Sequence, residues 1–476
     1  MRNLIHNGYF LPPSLRDEIS EFKERVHHFK EEDISLTIRT PHLTPSLVRR
    51  VIDHLREAQQ RLLEKRPVKE IVEILDEASR RWMNTDYPPF RFCLETIPLL
   101  TGFSREMVAE SIFLEHRSSR KPDLLRALES ELGNPSYLDG FQPSPQLDGF
   151  CRAFGPEVIM AIFSANIPGL PHLSIMRSFL VKSACLGKVS SEEPIFPPLY
   201  AETLEQLDSE VAECLAILEW KGGDEEIEHE VFHRCGAVIA YGSEETCNSL
   251  RSRIHPQVKL VTHSHKLGFG LIGRNALRIS DIRELARRAA YDVGVFDQHA
   301  CLSPHIYFVE EEGEASPREF ARELATALDK LEEKLPSGKI GIGTSATLQQ
   351  LRESLELRES AGEDVQVFHS PAHPWTVIYE RTASFLPSPL NRVIRVVPLR
   401  DIFEAEDILR PVACYLQNAA LELEDERRGK MFDLLGKLGV SRIVPPGKMP
   451  TPSMMWHHDG LLCLATLLRW TDVEMF

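Results

Sequence analysis

Val158-Ile-Met-Ala-Ile-Phe163 is the first of several short apolar runs in the middle of this 476-residue chain. Two further runs that contain β-branched residues are Ala237-Val-Ile-Ala-Tyr241 and Val258-Lys-Leu-Val-Thr262. Residues 200–220 and 243–254 instead carry apolar side chains at helical spacing. Strands that alternate with helices are typical of β-α-β units, so the sequence predicts an α/β fold with parallel sheets.

The flanking segments extend this pattern in both directions. Residues 44–119 predict at least three helices, because their apolar residues recur at the spacing of one helical face. A capping box, Ser316-x-x-Glu319, marks the start of a later helix. A second alternating block begins near residue 280, with these predicted elements: helix 281–293, strand 305–310, helix 317–334, strand 393–399 and a final helical stretch to residue 476.

The charge balance argues against one class of partner. The chain has 55 lysine and arginine residues against 71 aspartate and glutamate residues, which gives a net charge of −16 at pH 7. A field of that sign repels a phosphate backbone, so a nucleic-acid partner is not expected. The length and the 42% hydrophobic content are sufficient for two or three domains with packed cores.

Apolar runs and cysteines indicate the location of the chain. The N-terminus has no apolar run of signal-peptide length, and prolines and polar residues interrupt the most apolar stretch, 158–180. Neither secretion nor a membrane span is expected. The nine cysteines are odd in number and never in C-x-x-C spacing, which indicates reduced thiols. The expected location is the cytoplasm.

Three motif matches are explained more simply as ordinary structure. His229-Glu-Val-Phe-His233 matches the H-E-x-x-H zinc pattern, but an acidic stretch precedes it and a strand follows almost at once. An exposed helical turn is favoured there, and no metal is predicted. Gly268-Phe-Gly-Leu-Ile-Gly273 and Gly341-Ile-Gly-Thr-Ser-Ala346 match dinucleotide fingerprints by spelling, without the required order of strand, turn and helix. Both are predicted to be turns.

Cys301 is the candidate nucleophile. It lies in Phe296-Asp-Gln-His-Ala-Cys-Leu-Ser-Pro-His305, between a predicted helix and a predicted strand. A thiol at such a junction is accessible from a cleft, with backbone N–H groups directed at whatever it attacks. The alternative is a buried packing cysteine.

Five stretches in a fixed order decide between these alternatives. They are Ser164-Ala-Asn-Ile-Pro-Gly169, Val181-Lys-Ser-Ala-Cys-Leu-Gly-Lys-Val-Ser-Ser-Glu-Glu-Pro194, Ala240-Tyr-Gly-Ser-Glu-Glu245, Asp297-Gln-His-Ala-Cys-Leu-Ser-Pro304 and Met455-Trp-His-His-Asp-Gly460. In this order the chain resembles the aldehyde dehydrogenase superfamily, and within it the LuxC-type long-chain acyl-CoA reductases, from about residue 40 to the end.

The resemblance implies an aldehyde-dehydrogenase-like fold with two α/β domains and a small oligomerisation element. The implied divisions are an N-terminal extension (1–39), a cofactor-binding domain (40–268), a catalytic domain (269–445) and a closing or oligomerisation segment (446–476). Residues 139–152 are the expected oligomerisation segment within the second of these, and the chain is expected to form a homo-oligomer.

The resemblance also implies roles for single residues. Cys301 corresponds to the nucleophile, and the Asn166 carboxamide with the Cys301 backbone N–H to the oxyanion hole. Lys188 resembles the family's lysine that reaches the adenosine ribose and its phosphate. Gly242 and Ser243 resemble the helix N-terminus beneath the pyrophosphate, and Ser164 is counted with the cofactor-binding residues. General chemistry supports these roles, because helix N-termini favour phosphate and a carboxamide donates to an oxyanion without adding charge.

Two departures from the family pattern refine the expected reaction. Hydrolytic aldehyde dehydrogenases have a glutamate that activates water, whereas His265-Lys-Leu-Gly-Phe-Gly270 has no carboxylate. The acyl-enzyme should therefore survive long enough to be reduced or passed to another thiol. Ser191 stands where NAD-preferring relatives often carry a glutamate, which leaves room for a 2′-phosphate and favours NADPH, with NADH possible.

The predicted function is reduction of an acyl-CoA, through an acyl-Cys301 thioester, to a fatty aldehyde. The acyl donor is acyl-CoA or an acyl-protein thioester, and an acyl-protein synthetase or acyl carrier is a possible partner. The alternatives are an acyl-phosphate reductase, a cofactor-independent thioesterase or acyl transferase, and a non-catalytic relative. The sequence leaves the roles of His299, His305, His457 and His458 open.

Overall fold

The computed structural model describes residues 2–144 and 148–474. Residues 1, 145–147 and 475–476, which belong to the predicted N-terminal, oligomerisation and C-terminal segments, lie outside the described residues. The first three strands are β1 (Arg2–Asn7), β2 (Phe22–Phe29) and β3 (Ile34–Pro41). They form a sheet in which β3 is central, and its buried Leu36 and Ile38 belong to the same hydrophobic core as the helices that follow.

A helical layer follows this sheet. Its members are α1 (Pro45–Ala58), α2 (Val68–Trp82), α3 (Pro88–Thr101), α4 (Arg105–Arg117) and α5 (Lys121–Leu132). α1 begins where the Thr44 hydroxyl accepts a hydrogen bond from the Leu47 N–H. The prediction of at least three helices in this region is confirmed.

The first large sheet has five strands, and all neighbouring strands are parallel. The segment that contains it runs β4 (Gln142–Ser144), β5 (Gly149–Phe154), β6 (Val158–Ile162), α6 (Pro171–Leu180), β7 (Ala184–Lys188), α7 (Phe196–Leu207), α8 (Ser209–Ala212), β8 (Leu215–Leu218), α9 (Glu225–Arg234), β9 (Ala237–Tyr241), α10 (Glu244–Arg253) and β10 (Lys259–His263). The strand order is β10-β9-β6-β7-β8. The carboxyl ends of these strands meet at one edge, where ligands bind in open α/β sheets.

The second large sheet has seven strands. The rest of the chain runs β11 (Leu267–Ile272), α11 (Ile282–Gly294), β12 (Pro304–Glu310), α12 (Pro317–Glu332), α13 (Ile342–Ser360), β13 (Val365–His369), β14 (Thr376–Glu380), β15 (Val393–Leu399), α14 (Ala405–Leu409), β16 (Leu416–Glu422), α15 (Asp425–Lys437), β17 (Arg442–Val444) and β18 (Arg469–Glu474). The order is β13-β14-β15-β12-β11-β16-β17, and β13 and β14 are its one antiparallel pair within the described strands. The predicted α/β class with parallel sheets is confirmed.

A small fourth sheet joins distant parts of the chain. β18 pairs antiparallel with β5, and β5 pairs antiparallel with β4. Every residue of β18 is exposed. Among the helices of the described residues, none is both long enough and apolar enough to cross a membrane.

Two predictions of helix are wrong. Residues 215–218, inside the predicted helix 200–220, form β8, and the predicted helical end of the chain contains β16, β17 and β18. All four residues of β8 are buried. A short apolar run buried on both faces of a sheet has no alternating pattern, so periodicity does not distinguish it from a buried helix.

The interpretation of Gly268 to Gly273 as a turn is also wrong, because Gly268 and Gly270 lie inside β11. A Cβ on Gly268 would lie 2.5 Å from the Ser303 carbonyl oxygen, and one on Gly270 would overlap the Tyr307 ring. These glycines allow β12 to approach β11 closely. The other glycine pattern leads into a helix, since Gly341 is the N-cap of α13.

The close approach at Gly270 generates a stability prediction. Gly270→Ala should destabilise the protein by about 1–3 kcal/mol, because the new methyl group displaces the buried Tyr307 ring. Thermal unfolding followed by circular dichroism measures the change. The matched control is Gly436→Ala in α15, where a Cβ meets nothing within 4 Å. That control should raise stability slightly, and an equal loss in both variants would contradict the packing at Gly270.

Candidate active site

A cavity of about 490 Å³ lies between the two large sheets. We call it the central cavity. Its walls come from the carboxyl ends of β6, β9 and β10, from residues 296–302 before β12, and from residues 450–458 of the C-terminal segment. Cys301, Asn166, Ser164, Gly242 and Ser243 all line it. The structure therefore brings together five of the seven residues that the sequence singled out.

Cys301 is partly exposed in this cavity. Burial raises the pKa of its thiol to about 12, and the negative charges of Asp459 and Glu115 raise it further. The thiol is therefore protonated at neutral pH in the free protein. Because the thiolate is the nucleophile, Cys301 needs a group that removes its proton during attack.

Left-handed backbone shapes the turn that carries Cys301. Phe296, Asp297 and Gln298 have φ values of 58°, 48° and 65°, which residues other than glycine rarely adopt. The Gln298 amide donates to the carbonyls of Pro304 and Val393 at 2.8 and 2.9 Å. These bonds tie the turn to the amino ends of β12 and β15.

A buried ion pair holds the same turn. The Asp297 carboxylate accepts hydrogen bonds from Arg392 Nε at 2.7 Å and from the Gly338 N–H at 2.9 Å. The Arg392 side chain is fully buried and also donates to Glu332 at 2.8 Å. One buried guanidinium thus serves two buried carboxylates in the interior, beside the candidate nucleophile.

Asn166 reaches across the cavity to this turn. Its Nδ2 donates to the His299 carbonyl oxygen at 2.8 Å, two residues before Cys301. A carboxamide has two N–H donors, so the second is available to a group bound at Cys301. This arrangement fits the predicted oxyanion hole, whose role stays a prediction.

The predicted cofactor residues divide into two groups. The Ser243 hydroxyl caps α10 by accepting from the Thr246 N–H at 3.2 Å, so this helix N-terminus faces the cavity. The Ser164 hydroxyl is buried there without a hydrogen-bond partner among the described residues. An orphaned donor beside a helix N-terminus fits a ligand that carries phosphate and hydroxyl oxygens.

Lys188 and Ser191 are placed differently. Of the described residues, these two are the predicted site residues that do not line the cavity. Lys188 ends β7 at the sheet edge where nucleotides bind, with Nζ 5.5 Å from the Trp220 ring centre. Ser191 is exposed, whereas its neighbour Glu192 lines the cavity.

The histidines near Cys301 are uncharged at pH 7. Burial lowers the pKa of His305 to about 4, and its Nδ1 accepts a hydrogen bond from the Ser388 N–H at 3.0 Å. Burial also lowers the pKa of His299, whose ring packs edge-on against Phe103. Neither contact activates the Cys301 thiol. His458 lines the cavity, while His457 is exposed.

Sequence reasoning missed two side chains in the cavity wall. His263 ends β10, and its Nδ1 lies 2.7 Å from Asp459 Oδ2. Glu115, from α4, is a buried carboxyl whose pKa burial raises to about 7, against the opposing charge of Arg177. The sequence could have indicated His263, because this residue ends a parallel strand and ligands bind at such ends. It contains no pattern that indicates Glu115, which lies in a helix.

His263, His458 and Asp459 form a cluster whose potential metal-ligand atoms lie within 4.8 Å of one another. The two imidazole rings are stacked, with centres 3.9 Å apart and planes 14° from parallel. Imidazole lone pairs lie in the ring plane, so two nearly parallel rings do not converge on one ion. The His229 and His233 pair of α9 also has a simpler explanation, since Glu230 is engaged by Arg49 and Arg234.

Comparisons with known proteins give a consistent result. The family model described as acyl-CoA reductase (LuxC) matches residues 63–470. A long-chain acyl-protein thioester reductase from Photorhabdus luminescens is 26% identical over 443 residues, which cover 92% of this chain and 87% of that protein. The protein of the same name from Aliivibrio fischeri is 24% identical over 417 residues, which cover 86% of this chain and 82% of that protein.

Solved structures show the fold. Aldehyde dehydrogenase 21 from Physcomitrella patens matches with a TM-score of 0.72 and 13% identity, over 100% of this chain and 99% of that chain. An NADP-dependent glyceraldehyde-3-phosphate dehydrogenase from Bacillus halodurans matches with a TM-score of 0.66 and 14% identity, over 95% of this chain and 96% of that chain. The predicted aldehyde-dehydrogenase-like fold is confirmed.

The ion pair beneath Cys301 generates the second prediction. Arg392→Leu should destabilise the protein by about 3–5 kcal/mol, because it leaves Asp297 and Glu332 buried without a counter-charge. Urea denaturation measures this change. As a control, Arg410→Leu breaks an exposed pair with Glu406 and should change stability by less than about 1 kcal/mol. Similar small effects of both substitutions would show that the buried pair does not hold the turn.

Proposed function

Because the chain belongs to the acyl-CoA reductase (LuxC) family, we propose that it reduces a long-chain acyl thioester to an aldehyde through an acyl-Cys301 intermediate and with NADPH. The family match and the aldehyde-dehydrogenase-like fold make it an oxidoreductase that forms aldehyde from an acyl thioester. One observation carries the proposed mechanism: Cys301 and Asn166 line the same cavity, and Asn166 is bonded to the Cys301 turn.

Acyl transfer begins with Cys301. Its Sγ attacks the thioester carbonyl, and the second Asn166 N–H with the Cys301 backbone N–H stabilises the oxyanion. The carrier thiol leaves, and the acyl group stays on Sγ. β11 supports the survival of this thioester, because Leu267 to Ile272 contain no carboxylate to activate water.

The cofactor is proposed to bind at the carboxyl edge of the first sheet. Gly242, Ser243 and Ser164 would hold its phosphates and hydroxyls, and Lys188 with Ser191 would donate to the 2′-phosphate of NADPH. Bound there, the nicotinamide supplies the hydride that converts the acyl group into an aldehyde.

The cavity lining supports an acyl substrate. Leu170, Leu173, Phe296, Leu302 and Met454 give it a largely apolar surface. Such a surface binds a hydrocarbon chain by removing it from water. The acyl donor is proposed to be acyl-CoA or an acyl-protein thioester, the latter in line with the names of the relatives. An acyl-protein synthetase or acyl carrier is the proposed partner.

We propose that the chain divides into four parts, with the bounds 1–39, 40–268, 269–445 and 446–476.

We also propose that the chain forms a homo-oligomer through residues 139–152 and the C-terminal segment. The small sheet formed by β4, β5 and β18 supports this, because it joins these two regions. β18 is fully exposed and is an edge strand of this sheet among the described residues. Its outer edge is therefore open to a strand of another copy.

A thioesterase is the second candidate function, and Glu115 is the observation that favours it. This buried carboxyl lines the cavity, and its pKa of about 7 suits a general base. In that case water would be activated against the acyl-enzyme and the product would be a fatty acid.

Trapping the acyl-enzyme distinguishes the two functions. With a long-chain acyl-CoA and no reduced cofactor, the peptide that carries Cys301 should gain the mass of the acyl group. Cys301→Ser should abolish the label, since a serine hydroxyl is a far weaker nucleophile. The matched control, Cys414→Ser, removes an exposed thiol outside the cavity and should keep the label. Rapid release of fatty acid without any labelled peptide would support the thioesterase and overturn the reductase.

Cofactor choice is tested at Lys188. Lys188→Ala should weaken NADPH binding by about 1.5–3 kcal/mol, because a charge-assisted contact with the 2′-phosphate is lost. Binding of NADH should change much less. Fluorescence titration of both cofactors measures the difference, with the exposed Lys221→Ala as control. Equal losses for both cofactors would refute the assignment of Lys188.

A further inference from the structure

A histidine in the wall of the central cavity is hydrogen-bonded to a carboxylate behind it. His263 Nδ1 lies 2.7 Å from Asp459 Oδ2, and Asp459 Oδ1 accepts from Gln417 Nε2 at 2.6 Å. Burial acts to raise the pKa of Asp459, but the hydrogen bonds from His263 and Gln417 outweigh it and the pKa is about 2, so the carboxylate is charged and accepts only. The proton of the pair therefore sits on His263 Nδ1, and Nε2 carries the free lone pair.

Two other rings restrain the His263 ring. It stacks on the Tyr241 ring of β9 at 4.7 Å and on the His458 ring of the C-terminal segment at 3.9 Å. Only 7% of His263 is exposed, and it lines the cavity that Cys301 also lines. The negative charge of Asp459 also contributes to the raised pKa of the Cys301 thiol. The nucleophile and the imidazole therefore line one cavity, and the carboxylate is hydrogen-bonded to the imidazole.

We propose that His263 carries the proton for Cys301, with Asp459 as the positioning residue that orients the imidazole. Nε2 accepts the Sγ proton as the bond from Sγ to the acyl carbon forms. It then passes that proton to the sulfur of the departing carrier thiol as the original thioester bond breaks. After the acyl carbon has been reduced, the bond to Sγ breaks and His263 returns a proton from water to Sγ. This assignment rests on the proposed acyl transfer.

Three other histidines of the cavity are less suited to this task. His305 Nδ1 is occupied by the Ser388 N–H, and the hydrogen bonds of His299 include none to a carboxylate among the described residues. His458 Nε2 is buried without a hydrogen-bond partner and lies 3.9 Å from Asp459. Only His263 combines a carboxylate hydrogen bond with a position in the cavity wall among the described histidines.

The pH dependence follows from the groups that face His263. They are Tyr241 from β9, Arg177 from α6, Lys266 before β11, Cys301, and Asp459 with His458 from the C-terminal segment. Burial lowers the pKa of His263, and the charges of Arg177 and Lys266 lower it too, while Asp459 raises it. His263 is therefore neutral at pH 7 and able to accept a proton. Below its pKa it is protonated, and reaction at Cys301 should slow.

The test measures alkylation of Cys301 by iodoacetamide between pH 5 and 9, with peptide mass spectrometry to isolate this cysteine. No acyl substrate or cofactor is needed. In the unaltered enzyme the rate should rise with pH to a plateau set by His263. In His263→Asn the rate at pH 7 should fall by about 100-fold, and it should rise about tenfold per pH unit, because only hydroxide then removes the proton. His233→Asn, at an exposed position of α9, is the matched control and should keep the plateau.

Two further variants distinguish loss of the base from a loss of reactivity caused by altered structure. In His263→Ala, added imidazole should restore at least about a tenth of the lost rate. In Asp459→Asn the alkylation rate should begin to rise at lower pH, because the carboxylate that raises the pKa of His263 is gone. Thermal unfolding checks that each variant is folded. A plateau unchanged in His263→Asn, or an Asp459→Asn profile identical to that of the unaltered enzyme, would overturn the inference.

The same variants then separate this inference from the proposed function. With a long-chain acyl-CoA, His263→Asn should slow the release of CoA to the same extent as it slows alkylation. If alkylation depends on His263 but Cys301 never acquires an acyl group, the proposed function is wrong, while the role of His263 in removing the Cys301 proton is supported. If Cys301 is acylated normally in His263→Asn, the proposed function is supported, and the role of His263 is wrong.

Discussion

The buried ion pair between Arg392 and Asp297 determines where the chemistry occurs. It holds residues 296–298 in left-handed backbone, and this turn leads Cys301 out of the second sheet toward the carboxyl edge of the first. Asn166 at that edge bonds to the same turn, so two separate sheets contribute to one cavity. The buried charges are expensive to separate, which makes the position of Cys301 nearly invariant while the protein is folded.

The cavity combines an apolar lining with a few fixed polar groups, and this combination explains the state of its titratable residues. Burial keeps the Cys301 thiol protonated and the imidazoles of His299 and His305 neutral. A nucleophile that is protected in this way is inert until a substrate and a base are both in place. The C-terminal segment contributes to both conditions, because it covers the cavity and carries Asp459.

Much of this arrangement was predictable from the sequence, because local patterns specify local structure. The strand at 158–162, the capping box at Ser316 and the cysteine junction all have short-range signals, and all were predicted. β8 was missed because a fully buried strand does not alternate. The contact between His263 and Asp459 joins residues 196 positions apart, and no spacing rule reaches that far. Glu115 was missed because its helix shows only that one face is buried, and not what that face meets.

A single-turnover experiment addresses the central claim that Cys301 carries the acyl group to reduction. Enzyme acylated in advance and freed of excess acyl-CoA is mixed with NADPH, and cofactor absorbance and aldehyde are followed together. One NADPH should be oxidised and one aldehyde released for each acylated Cys301, with an unlabelled cysteine at the end. Loss of the acyl group as fatty acid, without oxidation of NADPH, would contradict the claim.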